Sequence, residues 1–267
     1  MSANEKKEQI AATFNSVAER YDSNKFFSIS ARILVEYLEL DESKRMLDIS
    51  TGTGAIAVTA AQQCPEMEIE AIDISVEMMN QAKKKAGNLG ITNIAFRQMD
   101  AENIEYEDDS FDIITCGYGL FFYPEMENAF AKICNKLKSG GRVAFSTFAK
   151  DAFYPYAEKF LELLKEYDVE APELSRARLQ DEEQIRTLCA QAEAVCVLVK
   201  KHEIRYEIAV DDWWALINNG GYKSLLDQVE PQMLNEFRQR HLERIGQLSE
   251  NGKIILNADS LYGMAGK

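Results

Sequence analysis

The stretch that decides the fold is Met46–Ala57, which reads MLDISTGTGAIA. Its first four residues predict a buried strand that carries one carboxylate, the small residues STGTG predict a turn, and a helix is predicted directly after them. This arrangement brings main-chain N–H groups and a helix N-terminus against the polar groups of a ligand. Glycine suits the turn because a Cβ atom would hold the backbone away from the ligand. Gly52-x-Gly54-x-x-Ala57 also fits the relaxed dinucleotide fingerprint, so the turn alone does not identify the ligand.

Composition restricts the possible functions. The chain has 267 residues, a formal net charge of −14 and 46% hydrophobic residues, which favour one acidic domain with a sizeable core. The acidity argues against a nucleic-acid partner, because phosphate binding needs clustered Lys and Arg. Five cysteines without CxxC spacing and two histidines argue against a disulfide framework and a metal site, and they favour a reducing, cytoplasmic location. We expect no signal peptide and no membrane span.

Two helices are predicted before the first strand, over residues 4–19 and 28–38. Ile10, Phe14 and Tyr21 recur at helical spacing and mark the apolar face of the first helix. About forty residues therefore precede the first strand. A dinucleotide-binding domain usually begins with that strand, so the N-terminal helices favour another class of ligand.

Acidic residues follow two of the next predicted strands. Strand two covers residues 68–74 and has Asp73 near its end, about twenty residues past the glycine turn, where a carboxylate can bind two ribose hydroxyls. Strand three is followed by Asp100. The remaining predicted elements are strand three (94–99), strand four (111–116), a loop (117–124), a helix (125–137) ended by Ser139-Gly140-Gly141, and strand five (142–148).

The C-terminal part departs from simple alternation. A long strand is predicted over 194–208, a mostly helical region over 211–248 and a closing strand over 253–263. The other predictions are helices over 152–167 and 181–192 and a loop or short helix over 171–180. Trp213 and Trp214 are expected in helix packing, His202 at the surface or in packing, and His241 in solvent.

Six segments together resemble the class I S-adenosylmethionine-dependent methyltransferases. They are AERYD (18–22), LDISTGTG (47–54), AIDIS (71–75) followed by Met78, MDAE (99–102), FDIITCGYGL (111–120) and LKSGGRV (137–143). The nearest resemblance is to the ubiquinone/menaquinone-biosynthesis-like small-molecule methyltransferases. It implies an α/β, Rossmann-like sheet of strand order 3-2-1-4-5-7-6 with the last strand antiparallel.

The resemblance also implies how the chain is organised. We expect a single methyltransferase domain over 1–267, with lid helices in 1–40, a cofactor-binding core in 46–148 and a helical cap in 211–249 before the last strand.

The resemblance carries roles to individual residues, with S-adenosyl-L-methionine as cofactor. Asp73 would hold the ribose diol, Asp100 the adenine amino group with Ala101 beside it, and Tyr21 would belong to a lid. Gly52, Thr53 and Gly54 would lie along the amino-acid end of the cofactor, and Cys116 and Gly117 along its carboxylate and sulfonium side. The predicted cofactor set is completed by Asp48, Ser50, Ile74 and Met78.

Two positions depart from the family pattern. Ser50 stands where the family usually has glycine, and Phe121-Phe122 stand where the quinone enzymes tend to carry polar residues, which argues against a quinone substrate. Tyr118, Phe121 and Phe122 are the predicted substrate contacts. We expect neither a dedicated catalytic base nor a metal.

Three functions are consistent with the sequence. The first is methyl transfer from S-adenosylmethionine to a small, partly apolar molecule. The second is an NAD(P)-dependent oxidoreductase that uses the same glycine pattern. The third is a protein that binds S-adenosylmethionine without methyl transfer. The oligomeric state and the identity of the acceptor stay open.

Overall fold

The computed structural model describes residues 2–170 and 175–267. Seven strands of these residues form one sheet, and two more form a separate ribbon. The strands are β1 Arg45–Ile49, β2 Glu68–Asp73, β3 Ile94–Gln98, β4 Phe111–Gly117, β5 Leu137–Phe148, β6 Val195–His202, β7 Arg205–Ala209, β8 Lys253–Asn257 and β9 Ser260–Gly266.

The main sheet has the order β3-β2-β1-β4-β5-β9-β6. Strands β3, β2, β1, β4 and β5 pair in parallel, and β9 pairs antiparallel with both β5 and β6. The predicted arrangement is thus confirmed, since the last strand runs antiparallel between strands five and six. The parallel strands bring their carboxyl ends, and the residues that follow them, to one edge of the sheet.

The strand numbering differs from the prediction because both long C-terminal strands are broken. The first predicted strand divides into β6 and β7, and the second divides into β8 and β9. β6 and β9 lie in the main sheet, whereas β7 and β8 pair only with each other. At the bend the buried Asp259 carboxylate accepts a hydrogen bond from the Ile204 N–H (3.2 Å) and binds the Arg205 guanidinium (2.7 Å). These bonds satisfy polar groups that the sheet ladder no longer pairs.

Helices surround the sheet. They are α1 Ala3–Val17, α2 Lys25–Glu36, α3 Ala55–Gln63, α4 Val76–Asn88, α5 Met126–Asn135, α6 Tyr156–Glu166, α7 Glu182–Gln191, α8 Val210–Asn218, α9 Lys223–Leu226 and α10 Leu234–Gly246. Short 3₁₀ turns cover Ala18–Ser23, Leu120–Phe122 and Ser175–Leu179. None of the helices in the described part of the chain combines the length and apolar character needed to cross a membrane. Of the loop or short helix predicted over 171–180, residues 171–174 lie outside the described residues.

The core lies on both faces of the sheet because alternate residues of a strand point to opposite faces. In β1, Met46 packs in one apolar cluster, with α2 and α3, whereas Leu47 and Ile49 pack in another, with α5, α6 and α7. A third small cluster joins α1 to α4 through Val17 and Met78. The N-terminal helix is thereby fixed beside the edge where the parallel strands end.

Two local predictions were wrong. Strand β5 begins at Leu137, because Leu137 already pairs with Phe111 of β4, so the predicted helix stop at residues 139–141 lies inside the strand. His241 is fully buried rather than solvated, and its Nε2 accepts a hydrogen bond from the Trp213 indole N–H (2.9 Å). Helix α10 turns this one polar side chain inward against aromatic rings, among them Phe160.

Candidate functional site

Two adjoining cavities lie at the edge where the parallel strands end. The small cavity, of about 90 Å³, is bordered by residues that end or follow β1 to β4, such as Ser50, Asp73, Asp100 and Gly117. The large cavity, of about 570 Å³, lies under α1, the Ser175–Leu179 turn and the C-terminal helices. Six residues line both: Ile10, Phe14, Tyr21, Tyr118, Phe122 and Pro124.

The glycine turn forms one wall of the small cavity. Gly52 has φ +57°, and a Cβ atom added there would meet no heavy atom within 4 Å. Its N–H donates to Asp73 Oδ2 at 2.8 Å. Ser50 also has a left-handed φ of 50°, a conformation that favours glycine, and its hydroxyl lies 2.7 Å from the Tyr123 hydroxyl. Ser50 therefore adopts a backbone conformation that glycine would favour at this position.

Asp73 forms a second wall of the small cavity. Its Oδ1 accepts from the Ser75 N–H at 2.8 Å, so each carboxylate oxygen already has one main-chain donor. Burial raises the pKa of Asp73, and the hydrogen bonds from Ser75 and Gly52 oppose that rise. The same turn starts α4, because the Ser75 hydroxyl accepts from the Met78 N–H. Asp73 is thus held rigidly with its carboxylate at the cavity.

A cluster of opposite charges borders the cavity beyond β3. Lys7 Nζ lies 2.7 Å from Asp100 Oδ2 and 2.5 Å from Glu102 Oε2. Burial would raise the pKa of Asp100, but Lys7 and the Glu102 and Asn103 donors outweigh it and hold that pKa below its usual range. The same ion pairs outweigh burial in raising the pKa of Lys7. The pairs fasten α1 to the strand ends.

Aromatic side chains separate the two cavities. Phe14 of α1 meets the Phe122 ring edge-on at a centroid distance of 5.3 Å, and Tyr21 stacks on Phe27 at 4.5 Å. Burial raises the pKa of the Tyr21 hydroxyl well above its usual value. Tyr118, at φ 54°, stacks on Phe148 at 4.3 Å. Aromatic rings thus form most of the boundary between the cavities.

Most of the predicted site residues come together at the cavities. Those that line the small cavity are Tyr21, Ser50, Gly52, Asp73, Ile74, Met78, Asp100, Ala101, Gly117, Tyr118 and Phe122. Phe121 lines the large cavity, together with Tyr21, Tyr118 and Phe122.

Asp48, Thr53, Gly54 and Cys116 border neither cavity. Asp48 lies beneath the turn, where it accepts from the hydroxyls of Thr51 (2.6 Å) and Thr115 (2.7 Å). Burial raises the pKa of Asp48 to about 6, against the effect of those hydrogen bonds. Asp48 therefore supports the turn from below.

The other three residues serve the packing around the turn. The Thr53 hydroxyl donates to Asp22 at 2.5 Å, which ties the turn to the Ala18–Ser23 segment. A Cβ atom at Gly54 would come within 3.0 Å of Ala82 Cβ, so the glycine lets α3 approach α4. Burial raises the pKa of the Cys116 thiol to about 12, which leaves it neutral.

Several lining residues were missed at the sequence level. They are Lys7, Ile10, Phe14, Met99, Glu102, Gly119, Tyr123 and Pro124. Lys7 could have been found, because it falls on the helical face that Ile10, Phe14 and Tyr21 define. Glu102 follows Asp100 by two residues, but only the fold shows that its carboxylate also accepts from the Glu125 N–H (2.9 Å).

Neither histidine borders either cavity. His202 Nε2 lies 2.5 Å from the Tyr37 hydroxyl, and His241 packs in the C-terminal helices. Within residues 2–170 and 175–267, no cluster of three or more His, Cys, Asp or Glu side chains is arranged to hold a metal ion.

The chain matches known methyltransferases in sequence. Residues 40–219 match the model of a methyltransferase-domain family. The aklanonic acid methyltransferase DauC of Streptomyces sp. (strain C5) is 33% identical over 144 residues, which are 53% of this chain and 66% of DauC. The ubiquinone/menaquinone biosynthesis C-methyltransferase UbiE of Francisella tularensis subsp. holarctica is 30% identical over 201 residues, which are 72% of this chain and 78% of UbiE. The match to DauC thus spans slightly less than two thirds of that protein.

Solved structures show the same fold at lower identity. YcgJ of Bacillus subtilis has a TM-score of 0.62 at 21% identity, with 90% of this chain and 98% of that chain covered. The phosphoethanolamine N-methyltransferase 2 of Haemonchus contortus, in complex with phosphomonomethylethanolamine and S-adenosylhomocysteine, has a TM-score of 0.54 at 15% identity, with 90% and 52% covered. The [4+2]-cyclase SpnF shares the fold as well, with a TM-score of 0.57 at 16% identity, 90% of this chain and 80% of that chain covered. The family match, the relatives and the fold agree that the chain belongs to the S-adenosylmethionine-dependent methyltransferases and that its cofactor is S-adenosylmethionine.

Proposed function

We propose that this protein transfers a methyl group from S-adenosylmethionine to a small, partly apolar acceptor, with the cofactor in the small cavity and the acceptor in the large one. The observation that carries the proposal is the presence of two adjoining cavities that differ in their charged side chains. Three carboxylates and one amine border the small cavity, namely those of Asp73, Asp100, Glu102 and Lys7. Aromatic rings dominate the wall that it shares with the large cavity.

The residues of the small cavity fit the groups of the cofactor, but its volume of about 90 Å³ is below the roughly 300–1,000 Å³ of small-molecule sites, so α1 and Tyr21 must move outward when the cofactor binds. Gly52 leaves open a space that a Cβ atom would enter, so its backbone can approach the amino-acid end of the ligand. Asp73 is placed to accept from ribose hydroxyls, and Asp100 with Ala101 to bind the adenine edge. Ser50, Ile74, Met78 and Gly117 complete the contacts, whereas Asp48, Thr53, Gly54 and Cys116 hold the turn and strand ends that present them.

The chain contributes orientation and exclusion of water. The bound cofactor supplies an electrophilic methyl group on its sulfonium. Tyr118, Phe121 and Phe122 would hold an apolar acceptor against the shared wall, and α1 with Tyr21 would act as the lid over both ligands. Correct orientation of two reactants can lower a barrier by roughly 7–11 kcal/mol, so a reactive acceptor needs no dedicated base. Burial raises the pKa of Tyr118 to about 12, so its hydroxyl stays protonated. It can donate a hydrogen bond to the Ser260 hydroxyl or to an oxygen of the methyl acceptor.

Two further assignments follow from the sequence. We propose that 1–40 act as lid helices, 46–148 as the cofactor-binding core and 211–249 as a helical cap over the acceptor. A cytoplasmic location stays a prediction from the five free cysteines.

Cofactor binding is the first test. S-adenosylhomocysteine should raise the melting temperature of the wild-type protein, whereas NADH should leave it unchanged, because only a ligand of the folded state stabilises it. Asp73→Ala should abolish the shift, and Asp41→Ala, which removes an exposed carboxylate in the loop before β1, should keep it. A shift with NADH alone would support an oxidoreductase and contradict the proposal.

Transfer is the second test, because the fold alone accommodates a cyclase as well as methyltransferases. The protein should move a labelled methyl group from S-adenosylmethionine to a component of a pool of small aromatic metabolites. A protein that bound the cofactor but labelled none of a broad pool would favour a cofactor-binding protein without methyl transfer.

A further inference from the structure

The large cavity contains a buried hydroxyl without a partner. Tyr222 is 9% exposed and lines this cavity, and its hydroxyl has no hydrogen-bond partner among the described residues. Its ring is held edge-on by Phe153 (6.2 Å) and Phe160 (5.6 Å), so the position of the hydroxyl is fixed. Buried polar groups in folded proteins are nearly always paired. This hydroxyl is covered in the structure, so a ligand group that displaces the atoms over it would supply the missing partner.

An arginine lies on the other side of the same phenylalanine. The Arg176 guanidinium carbon is 5.7 Å from the centre of the Phe153 ring, and its Nη1 donates to the Ala152 carbonyl at 3.0 Å. Within the described residues, no carboxylate lies within 4.0 Å of Arg176. Its charge also acts to lower the pKa of the Tyr222 hydroxyl, although burial raises it more. Apart from the bond to Ala152, the N–H groups of Arg176 thus have no partner among the residues that the structure describes.

Arg178 provides a useful contrast. It belongs to the same 3₁₀ turn, but it donates to the Tyr123 carbonyl at 2.6 Å and lies 3.3 Å from Glu127. Both arginines line the large cavity, but Arg178 is committed to protein groups.

The charge around the large cavity is opposite to that of the chain. The protein has 44 acidic and 30 basic residues, yet the described lining of the large cavity includes Lys6, Arg176 and Arg178 and no Asp or Glu. Aromatic rings form much of the remaining wall: Phe14, Phe26, Phe27, Phe121, Phe122, Phe148 and Phe153. Its volume is within the range of small-molecule sites, roughly 300–1,000 Å³. Positive charge inside an apolar wall selects an aromatic anion.

We propose that the acceptor is an aromatic molecule that carries an anionic oxygen group, and that Arg176 and Tyr222 bind this group. The inference rests on the proposed function and specifies its substrate class. Neither residue borders the small cavity, so the anionic oxygen is an anchor away from the methyl donor and a different atom of the acceptor is methylated. Lys6 and Arg178, the other cationic residues of the lining, would add to the attraction of the anion.

The test compares two probes of equal ring size. Naphthalene carboxylate and naphthalene methanol are titrated calorimetrically into wild-type protein saturated with S-adenosylhomocysteine. We expect the carboxylate to bind about tenfold more tightly, since a charge-assisted hydrogen bond is stronger than a neutral one. Arg176→Met and Tyr222→Phe should each reduce this preference several-fold and leave the affinity for the alcohol nearly unchanged.

Control variants separate a binding role from a structural one. Arg32→Met and Tyr154→Phe change exposed residues outside both cavities and should keep the preference. Tyr222→Phe should have an unchanged or higher melting temperature, because it removes an unpaired buried hydroxyl. A wild-type protein that binds both probes equally or binds neither, or variants that keep the full preference, would overturn the assignment. Failure of S-adenosylhomocysteine itself to bind would instead refute the proposed function.

Discussion

Gly52→Ala tests whether the glycine turn contacts the cofactor. The residue has φ +57°, its N–H donates to Asp73, and it borders the small cavity. A methyl group at this position has no protein atom within 4 Å, so it meets only a ligand in that cavity. The substitution should therefore affect binding much more than packing.

The two effects have different sizes. A left-handed conformation costs a non-glycine residue about 1–2 kcal/mol, which lowers the melting temperature of a domain of this size by roughly 2–8 °C. In the complex, the added Cβ atom would push the cofactor away from the backbone of residue 52. Loss of one hydrogen bond to a charged group weakens binding by about 1.5–3 kcal/mol, which is roughly tenfold to hundredfold.

Gly90→Ala is the matched control. Gly90 has φ +68° and equally open surroundings, but it lies between α4 and β3 and borders neither cavity. Thermal unfolding should show similar losses of stability for both variants, whereas calorimetry with S-adenosylhomocysteine should show weaker binding only for Gly52→Ala. Equal affinities in the two variants would refute a contact between this turn and the cofactor.

Three other predictions address the lid and the dependence of stability on pH. Lys7→Met removes the ion pairs with Asp100 and Glu102, so hydrogen exchange of the α1 amides should accelerate several-fold. Unchanged exchange would show that these pairs do not hold the helix. The folded pKa of Asp48 is about 6, above its unfolded value of 3.8, so the wild type should lose about 3 kcal/mol of unfolding free energy between pH 4 and 7 as this buried carboxyl ionises. Urea unfolding of Asp48→Asn should lack this loss. Stability curves that run parallel for variant and wild type over this pH range would contradict the prediction. The folded pKa of His241 is about 4, below the ordinary value of 6.5, so the wild type should lose about 3 kcal/mol of unfolding free energy as pH falls from 6.5 to 4. His241→Gln keeps an acceptor for the Trp213 N–H and should lack this loss. The same loss in the variant would exclude His241 as its source.

The sequence predicted the parallel half of the fold and the placement of Gly52, Asp73 and Asp100. These residues follow buried strands, and the carboxyl ends of parallel strands meet at one edge, so order along the chain determines position in space. The same turn accepts Ser50 in a left-handed conformation, and the Ser50 hydroxyl forms a hydrogen bond with the Tyr123 hydroxyl.

The C-terminal half could not be predicted in the same detail. The breaks near Ile204 and Asp259 depend on a bond between residues 55 positions apart, which no local pattern encodes. The burial of His241 similarly depends on Trp213 of another helix. The aromatic side of the large cavity was anticipated through the Tyr21 lid and through Tyr118, Phe121 and Phe122, whereas its cationic side, from the Ser175–Leu179 turn and α1, was not.

A crystal structure of the complex with S-adenosylhomocysteine tests the central claim most directly. We expect density in the small cavity, with the ribose hydroxyls at the Asp73 carboxylate, the adenine beside Asp100 and the sulfur facing the large cavity past Tyr21. Density in the large cavity between Arg176 and Tyr222, with the Gly52 turn left untouched, would contradict it.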